Sequence, residues 1–161
     1  MSEAEVLEAD LARTEHQHAI VNLLDAYSRD PMGNGAPLSA EVKRDLIPGL
    51  REHPTTIVFL AYVSAEPVGL AVCFRGFSTF AARPLINIHD LAVLPDHRGQ
   101  GVGRRLLEAI VLKGRALGCC KLTLEVLENN GKAKRMYEAF GFRQATYQPE
   151  AGAALFMSRP L

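Results

Sequence analysis

The chain has 161 residues, 48% of them apolar, and its 18 basic residues balance 18 acidic ones, so its formal net charge is zero. That length and apolar share suit one domain with a core of ordinary size, and residues 1–161 read as a single domain. The balanced charge gives no long-range field to gather nucleic acid or an anionic membrane. Val6 to Ala9 lie in a short stretch, Ala4 to Ala9, that reads as a strand. Asp10 is placed to cap a helix carrying Leu11, Ile20, Leu23, Leu24 and Tyr27. The run Asp30-Pro-Met-Gly-Asn-Gly-Ala-Pro37 breaks that helix, and Ser39 or a neighbour caps a second helix that ends before Pro54. Thr55 to Ser64 and Val68 to Phe77 are β-rich runs joined by Ala65-Glu66-Pro67, the pattern of an antiparallel hairpin. Leu85 to Leu94 forms a third strand of this group, stopped by Pro95.

From Gly101 to Leu117 the apolar residues Val102, Leu106, Ala109, Ile110 and Leu117 recur at helical spacing, and Gly118 supplies a C-terminal stop. Leu122 to Leu127 reads as a further strand and Asn130 to Phe140 as a helix ended by Gly141. Phe142 to Tyr147 and Ala153 to Met157 are expected to complete the sheet. The strand, helix, strand, helix order of the second half requires at least one parallel pairing through a right-handed crossover. The acidic segment Met1 to Asp10 has no apolar secretory core, and no run approaches the ~18 apolar residues of a membrane span. A soluble, cytoplasmic protein is therefore expected. Cys73, Cys119 and Cys120 suit neither a disulfide framework nor paired metal ligands and read as reduced core residues. His16 and His18 point apart on a helix, so no metal is expected.

The most informative stretch is Leu91-Ala-Val-Leu-Pro-Asp-His-Arg-Gly-Gln-Gly-Val-Gly103, which runs from a strand through a turn into a helix. Unpaired amides at a helix N-terminus, with the positive end of its dipole, bind anions. Gly99, Gly101 and Gly103 let a diphosphate approach the backbone and tolerate unusual dihedrals, while Arg98 and Arg104 can add charge. The stretch does not fit the dinucleotide fingerprint, because residue 106 is Leu, and it lacks the Gly-Lys-Ser/Thr of the nucleotide P-loop.

Arg98-Gly-Gln-Gly101-Val-Gly103 resembles the R/Q-x-x-G-x-G/A signature of the GNAT superfamily of acyl-CoA N-acyltransferases. His89-Asp-Leu-Ala-Val-Leu-Pro95 is similar to that family's fourth strand, and Leu124-Glu-Val-Leu-Glu-Asn-Asn130-Gly-Lys-Ala133-Lys-Arg-Met-Tyr137-Glu-Ala-Phe-Gly141-Phe142 to its L-E-V…N-x-x-A…Y…G-F segment. The resemblance implies an α/β fold with a central mixed, mostly antiparallel sheet of roughly six to seven strands flanked by about four helices. It further implies an N-acetyltransferase with acetyl-CoA as acyl donor. Under it, the backbone of Leu91, Ala92 and Val93 pairs with the pantetheine arm, Arg98, Gly99, Gln100, Gly101, Val102, Gly103 and Arg104 form the diphosphate site, and Asn130 and Ala133 belong to the donor side. Lys132, Lys134 and Arg135 either reach the nucleotide phosphates or form a solvated helix face.

Acetyl transfer to an amine needs a neutral amine, a stabilised oxyanion and a proton for the departing thiolate. Tyr137 matches the family's general acid, and a phenol near pKa 10 is protonated at neutral pH; from helix spacing alone it is equally an aromatic packed on the sheet. Glu125, an ionisable residue in an apolar strand, matches the base of members that modify protein N-termini, or else sits on a solvated face. His89 stands where several small-amine acetyltransferases carry a glutamate, and either relays a proton or is a core histidine. By period-two alternation Asp90 faces away from His89. The candidate acceptor-side residues are Tyr27, Phe80 and Asp90; Phe74, Phe77 and Phe80 either line an acceptor pocket or plug the core.

No Cys or Ser sits in a nucleophile-base arrangement, which favours direct transfer without a covalent enzyme intermediate. The preferred acceptor is a small primary amine. The alternatives are a protein N-terminus or lysine, or a non-catalytic acyl-CoA-binding module. Many relatives in the family are dimers, so a homodimer is compatible with the resemblance, but no interface is legible.

Overall fold

A computed structural model describes residues 3–161. The chain divides into two compact units, one extending to Leu127 and the other spanning Glu128–Leu161. The first holds a sheet in the order β1-β2-β3-β4-β5. β1 (Glu5–Glu8), β2 (Thr56–Val63), β3 (Glu66–Ser78) and β4 (Arg83–Val93) pair antiparallel in sequence. β5 (Leu122–Leu124) returns parallel beside β4 after the crossover helix α3 (Val102–Ala116). The sheet is thus mixed, as the strand-helix-strand order requires.

Helices α1 (Thr14–Arg29) and α2 (Ala40–Glu52) supply Ile20, Leu23, Ile47 and Leu50 to a core shared with Val58, Leu60, Leu70 and Val72. Leu70 and Val72 occupy one face of β3. The alternate residue Gly69 faces α3, where a Cβ would meet Val102 Cγ1 at 3.3 Å and Leu106 Cδ1 at 3.4 Å. Because successive strand residues point to opposite faces, α1 with α2 and α3 cover opposite sides of the sheet. Ser39 caps α2 as expected, its hydroxyl accepting from Val42 N–H at 3.2 Å. Asp10 does not cap α1. Its carboxylate accepts from Ala12 N–H at 2.9 Å, its own amide donates to Nδ1 of buried His16 at 2.9 Å, and the helix starts at Thr14. The hairpin between β2 and β3 turns on Ser64 and Ala65, whose φ values of 49° and 66° are those of a two-residue primed turn.

The second unit contains α4 (Gly131–Ala139). Two expected strands are absent among the described residues: neither 142–147 nor 153–157 is extended in a ladder, and the sheet has five strands rather than six or seven. At Phe142 the amide instead returns to Tyr137 O at 2.9 Å, and Arg143 Nη1 holds Glu138 O at 2.9 Å, winding this segment onto the end of α4. The apolar run 153–157 is exposed, which shows that β propensity without a neighbouring strand does not make one. Among the described residues no helix is long and apolar enough to cross a membrane.

Candidate functional site

The site begins with an irregularity in the β3–β4 ladder. Val72 opposes Asp90 and Cys73 opposes Ile88, so His89 has no partner across the ladder. An extra residue of this kind bends the strand and breaks the alternation of its side chains. The His89 ring lies 5.6 Å from that of Phe74, edge to face, and Phe74 packs with the α1–α2 core. Asp90 opposes Val72 of the same core. His89 and Asp90 therefore serve one side of the sheet, which corrects the expectation from strict alternation. The ring of His53, at the end of α2, lies 4.7 Å from that of Phe74, also edge to face.

Asp90 is largely buried, and burial pushes its carboxyl above the usual carboxylate range, with His89 opposing the shift. The Tyr27 phenol is raised by burial and then by the charges of Asp90 and Asp30. Burial holds the Cys73 thiol up at about 12, with Asp90 adding to it. Tyr27, Asp30 and Asp90 thus share one electrostatic neighbourhood near the end of α1. Phe80 does not belong to it. It is 91% exposed in the turn before β4, and the seven strand steps from Arg83 to Asp90 span roughly 23 Å at ~3.3 Å per residue.

On the far side of β4, β5 pairs only with Ile86, Asn87 and Ile88. His89 to Val93, which include Leu91, Ala92 and Val93, have no strand neighbour on that side among the described residues. Expected to run to Leu127, β5 stops at Leu124, so Glu125 lies outside the strand and is exposed. The unpaired edge of β4 leads through a short 3-10 turn (Pro95–His97) into the start of α3. Gly99 and Gly101 have φ of 77° and 84°, and space is open where a Cβ would project from either. Their requirement for glycine is one of backbone conformation. Arg105 N–H returns to Gly101 O at 3.1 Å as the first turn of α3 closes, so the amides of Val102, Gly103 and Arg104 precede the helical ladder and point outward from its start. The side chain of Val102 is buried, so it contributes its backbone.

The expected cations are already engaged. Arg98 donates from Nε to Val93 O at 2.8 Å and from Nη2 to Asp30 Oδ2 at 2.7 Å, which holds the Asp30 carboxyl below its usual range together with the Met32 amide, the larger cause. Arg104 pairs with Glu108 at 2.9 Å, and Gln100 Nε2 donates to Asp96 O at 2.8 Å. Anion binding at this turn rests on amides and helix dipole more than on free cationic side chains. In the sequence Asp30 is visible only as part of a helix-breaking run; its partner is 68 positions away, and no local pattern announces such a pair.

In the second unit, Asn130 Oδ1 accepts from Ala133 N–H at 3.2 Å and caps α4. Tyr137 is buried and its ring meets Phe142 at 5.8 Å, edge to face. Lys132 and Arg135 are exposed, and Lys134 Nζ donates to Glu128 O at 3.4 Å. Among the described residues no group of three or more His, Cys, Asp or Glu side chains is placed to hold a metal ion.

An unpaired strand edge running into a glycine-bearing helix start is the geometry under the family motif, and the model of the GNAT acetyltransferase family matches residues 19–142. The chain belongs to the GNAT acetyltransferase family. As a GNAT protein it is an acyl-CoA-dependent N-acetyltransferase. It is 28% identical over 141 residues to the uncharacterized N-acetyltransferase YhfO of Bacillus subtilis, an alignment covering 84% of this chain and 89% of that one. It is 33% identical over 79 residues to the thialysine N-ε-acetyltransferase of Bos taurus, covering 49% of this chain but only 46% of that protein. The crystal structure of a probable acetyltransferase superposes with a TM-score of 0.79 at 19% identity, covering 97% of this GNAT chain and 99% of that chain. That last likeness is one of fold.

Proposed function

We propose that this GNAT protein transfers the acetyl group of acetyl-CoA to a small primary amine by direct attack. The observation that carries this reading is the free edge of β4 from His89 to Val93, which ends at the bulge bearing His89 and Asp90 and leads at its other end into the open amides of α3. When bound, the thioester supplies the activated acetyl group. Leu91, Ala92 and Val93 offer backbone groups to an amide-bearing arm, and the turn from Arg98 to Arg104 offers N–H groups to a diphosphate. The open space beside Gly99 and Gly101 suits such a guest. Asn130, Lys132, Ala133 and Arg135 complete the donor side in this reading.

Asp90 anchors the incoming ammonium, with Tyr27 beside it. His89, held at the bulge against Phe74, accepts the proton that the amine must lose; Glu125 is the second candidate for that role. The Tyr137 phenol donates the proton taken by the departing sulfur. A carboxylate raised by burial gains from a cationic partner, because the ion pair offsets its desolvation. That favours an amine presented as an ammonium, such as thialysine or a polyamine.

The Leu124-Glu-Val segment supports a second reading, acetylation of a protein N-terminus. A panel of thialysine, lysine, spermidine and a peptide with a free N-terminal alanine separates the two when thiol release from acetyl-CoA is followed beside calorimetric binding of coenzyme A. Turnover of the small amines supports the first reading, and turnover of the peptide alone replaces it with the second. Coenzyme A binding with no turnover on any amine would leave a binding module, and absence of both would remove the donor site.

A further inference from the structure

Asp30 ends α1, and its two carboxylate oxygens act in different directions. Oδ1 accepts from Met32 N–H at 2.8 Å and closes a local turn. Oδ2 accepts from Arg98 at 2.7 Å, while the same guanidinium holds Val93 O. One ion pair therefore joins the loop after α1 to the end of β4 and to the turn before α3.

The loop behind Asp30 is tied together by its own hydrogen bonds. Gly33 N–H and Gly35 N–H donate to Asp30 O at 2.8 and 3.3 Å, and Asn34 N–H and Ala36 N–H to Ser28 O at 3.0 and 3.1 Å. The Ser28 hydroxyl returns to Ala36 O at 2.7 Å, and Leu38 N–H donates to Asp25 Oδ1 at 2.9 Å. At Gly33 a Cβ would overlap the Tyr27 carbonyl, so this loop is seated directly on the residue whose phenol feels both Asp90 and Asp30. Asp30 N–H also donates to Tyr27 O at 3.0 Å, so the loop and the end of α1 are joined at Tyr27.

We propose that Asp30 is a positioning residue for the acceptor: through Arg98 it fixes Tyr27 and the loop 30–38 opposite Asp90. This rests on the reading of Asp90 as the ammonium anchor. The pair is half-shielded, with side-chain exposures of 35% for Arg98 and 13% for Asp30, so it is screened less than an open surface pair. Removing the Asp30 charge loosens the acceptor side, yet it leaves the Arg98 cation beside a turn suited to a diphosphate, which favours an anionic donor. The acceptor should bind less well and the donor no less well, and a merely damaged fold does not produce that split.

The test compares Asp30→Asn, Arg98→Gln and the double variant. Asparagine keeps the oxygen that accepts from Met32. With the best-used amine of the panel, Asp30→Asn is expected to raise the acceptor KM by about fivefold or more while kcat falls less than about threefold. The Kd of coenzyme A should stay level or fall. Adding Arg98→Gln should raise the acceptor KM no further than the worse single variant does, since Asp30 acts through Arg98 and the two share that contact, and Asp30→Glu should restore most of the loss. An unchanged acceptor KM, or a coenzyme A Kd that rises in step with it, overturns the proposal. Amide hydrogen exchange gives a second measurement, independent of the acceptor and of the stability of Asp30→Asn. In Arg98→Gln the amides of Gly33 to Ala36 should exchange about tenfold faster than in the wild type, and unchanged exchange there also overturns it. If wild-type protein neither bound coenzyme A nor used any amine, the acetyl-transfer reading would fall, and exchange would still decide what the ion pair holds.

Discussion

Asp90 and Tyr137 are two side chains on which the proposed reaction depends. A carboxylate raised by burial favours the protonated form in the folded chain, so at neutral pH its charge works against folding. The sign follows: stability lost to Asp90 is regained as pH falls through its raised pKa. Asp90→Asn is expected to raise Tm by a few degrees at pH 7, with the gain over wild type shrinking in acid, while kcat/KM for the amine falls by at least about tenfold. Thermal melts at pH 7 and pH 5 beside steady-state kinetics check both halves. Tyr137→Phe keeps the ring packed on Phe142 and removes the phenol hydroxyl, the proposed proton donor. Turnover should fall by about 10²-fold or more, within the usual contribution of general acid-base catalysis, with coenzyme A affinity within about twofold of wild type, as read by calorimetry.

At the scale of elements, the start of α3 was the most legible part of the chain. Gly99 and Gly101 need positive φ for reasons contained in their own residues, and such local demands are written in sequence. Gly101→Val places a β-branched residue at φ 84°, costing more than the ~1–2 kcal/mol of an ordinary left-handed residue, and a side chain would fill the open space beside the amides. Coenzyme A binding should be lost while circular dichroism still shows a folded chain. The ladder bulge was not legible, because it is a property of two strands together: nothing within Ile88-His89-Asp90 says which residue Cys73 will oppose. Nor could Phe142 to Tyr147 be told from a strand, since hydrogen bonds back to α4, rather than propensity, decide its path.

Across the molecule, antiparallel hairpins and one parallel return follow from periodicity and chain order, whereas the number of strands depends on which runs find a neighbour. The buried center of the first unit can be monitored through Cys73, fully enclosed in β3 and held near 12 by burial. The thiolate is the reactive form, so iodoacetamide at pH 8 should modify Cys119 and Cys120, which are partly exposed, and leave Cys73 untouched until the sheet opens. Mass spectrometry of native and urea-treated protein reads this directly, and rapid native labelling of Cys73 would contradict the packing described.

His89 is the one residue of β4 that the ladder does not use. Were it excised, Ile88 opposite Cys73 and Asp90 opposite Val72 would already alternate between faces as in an unbroken ladder, and the register on either side would stand unchanged. The scaffold thus carries a spare residue whose removal would leave its hydrogen-bonded frame complete. What such a shortened strand would forfeit is the local swelling that sets an imidazole and a carboxylate on one side of the sheet, so this single insertion separates what the sheet requires to exist from what the proposed chemistry requires.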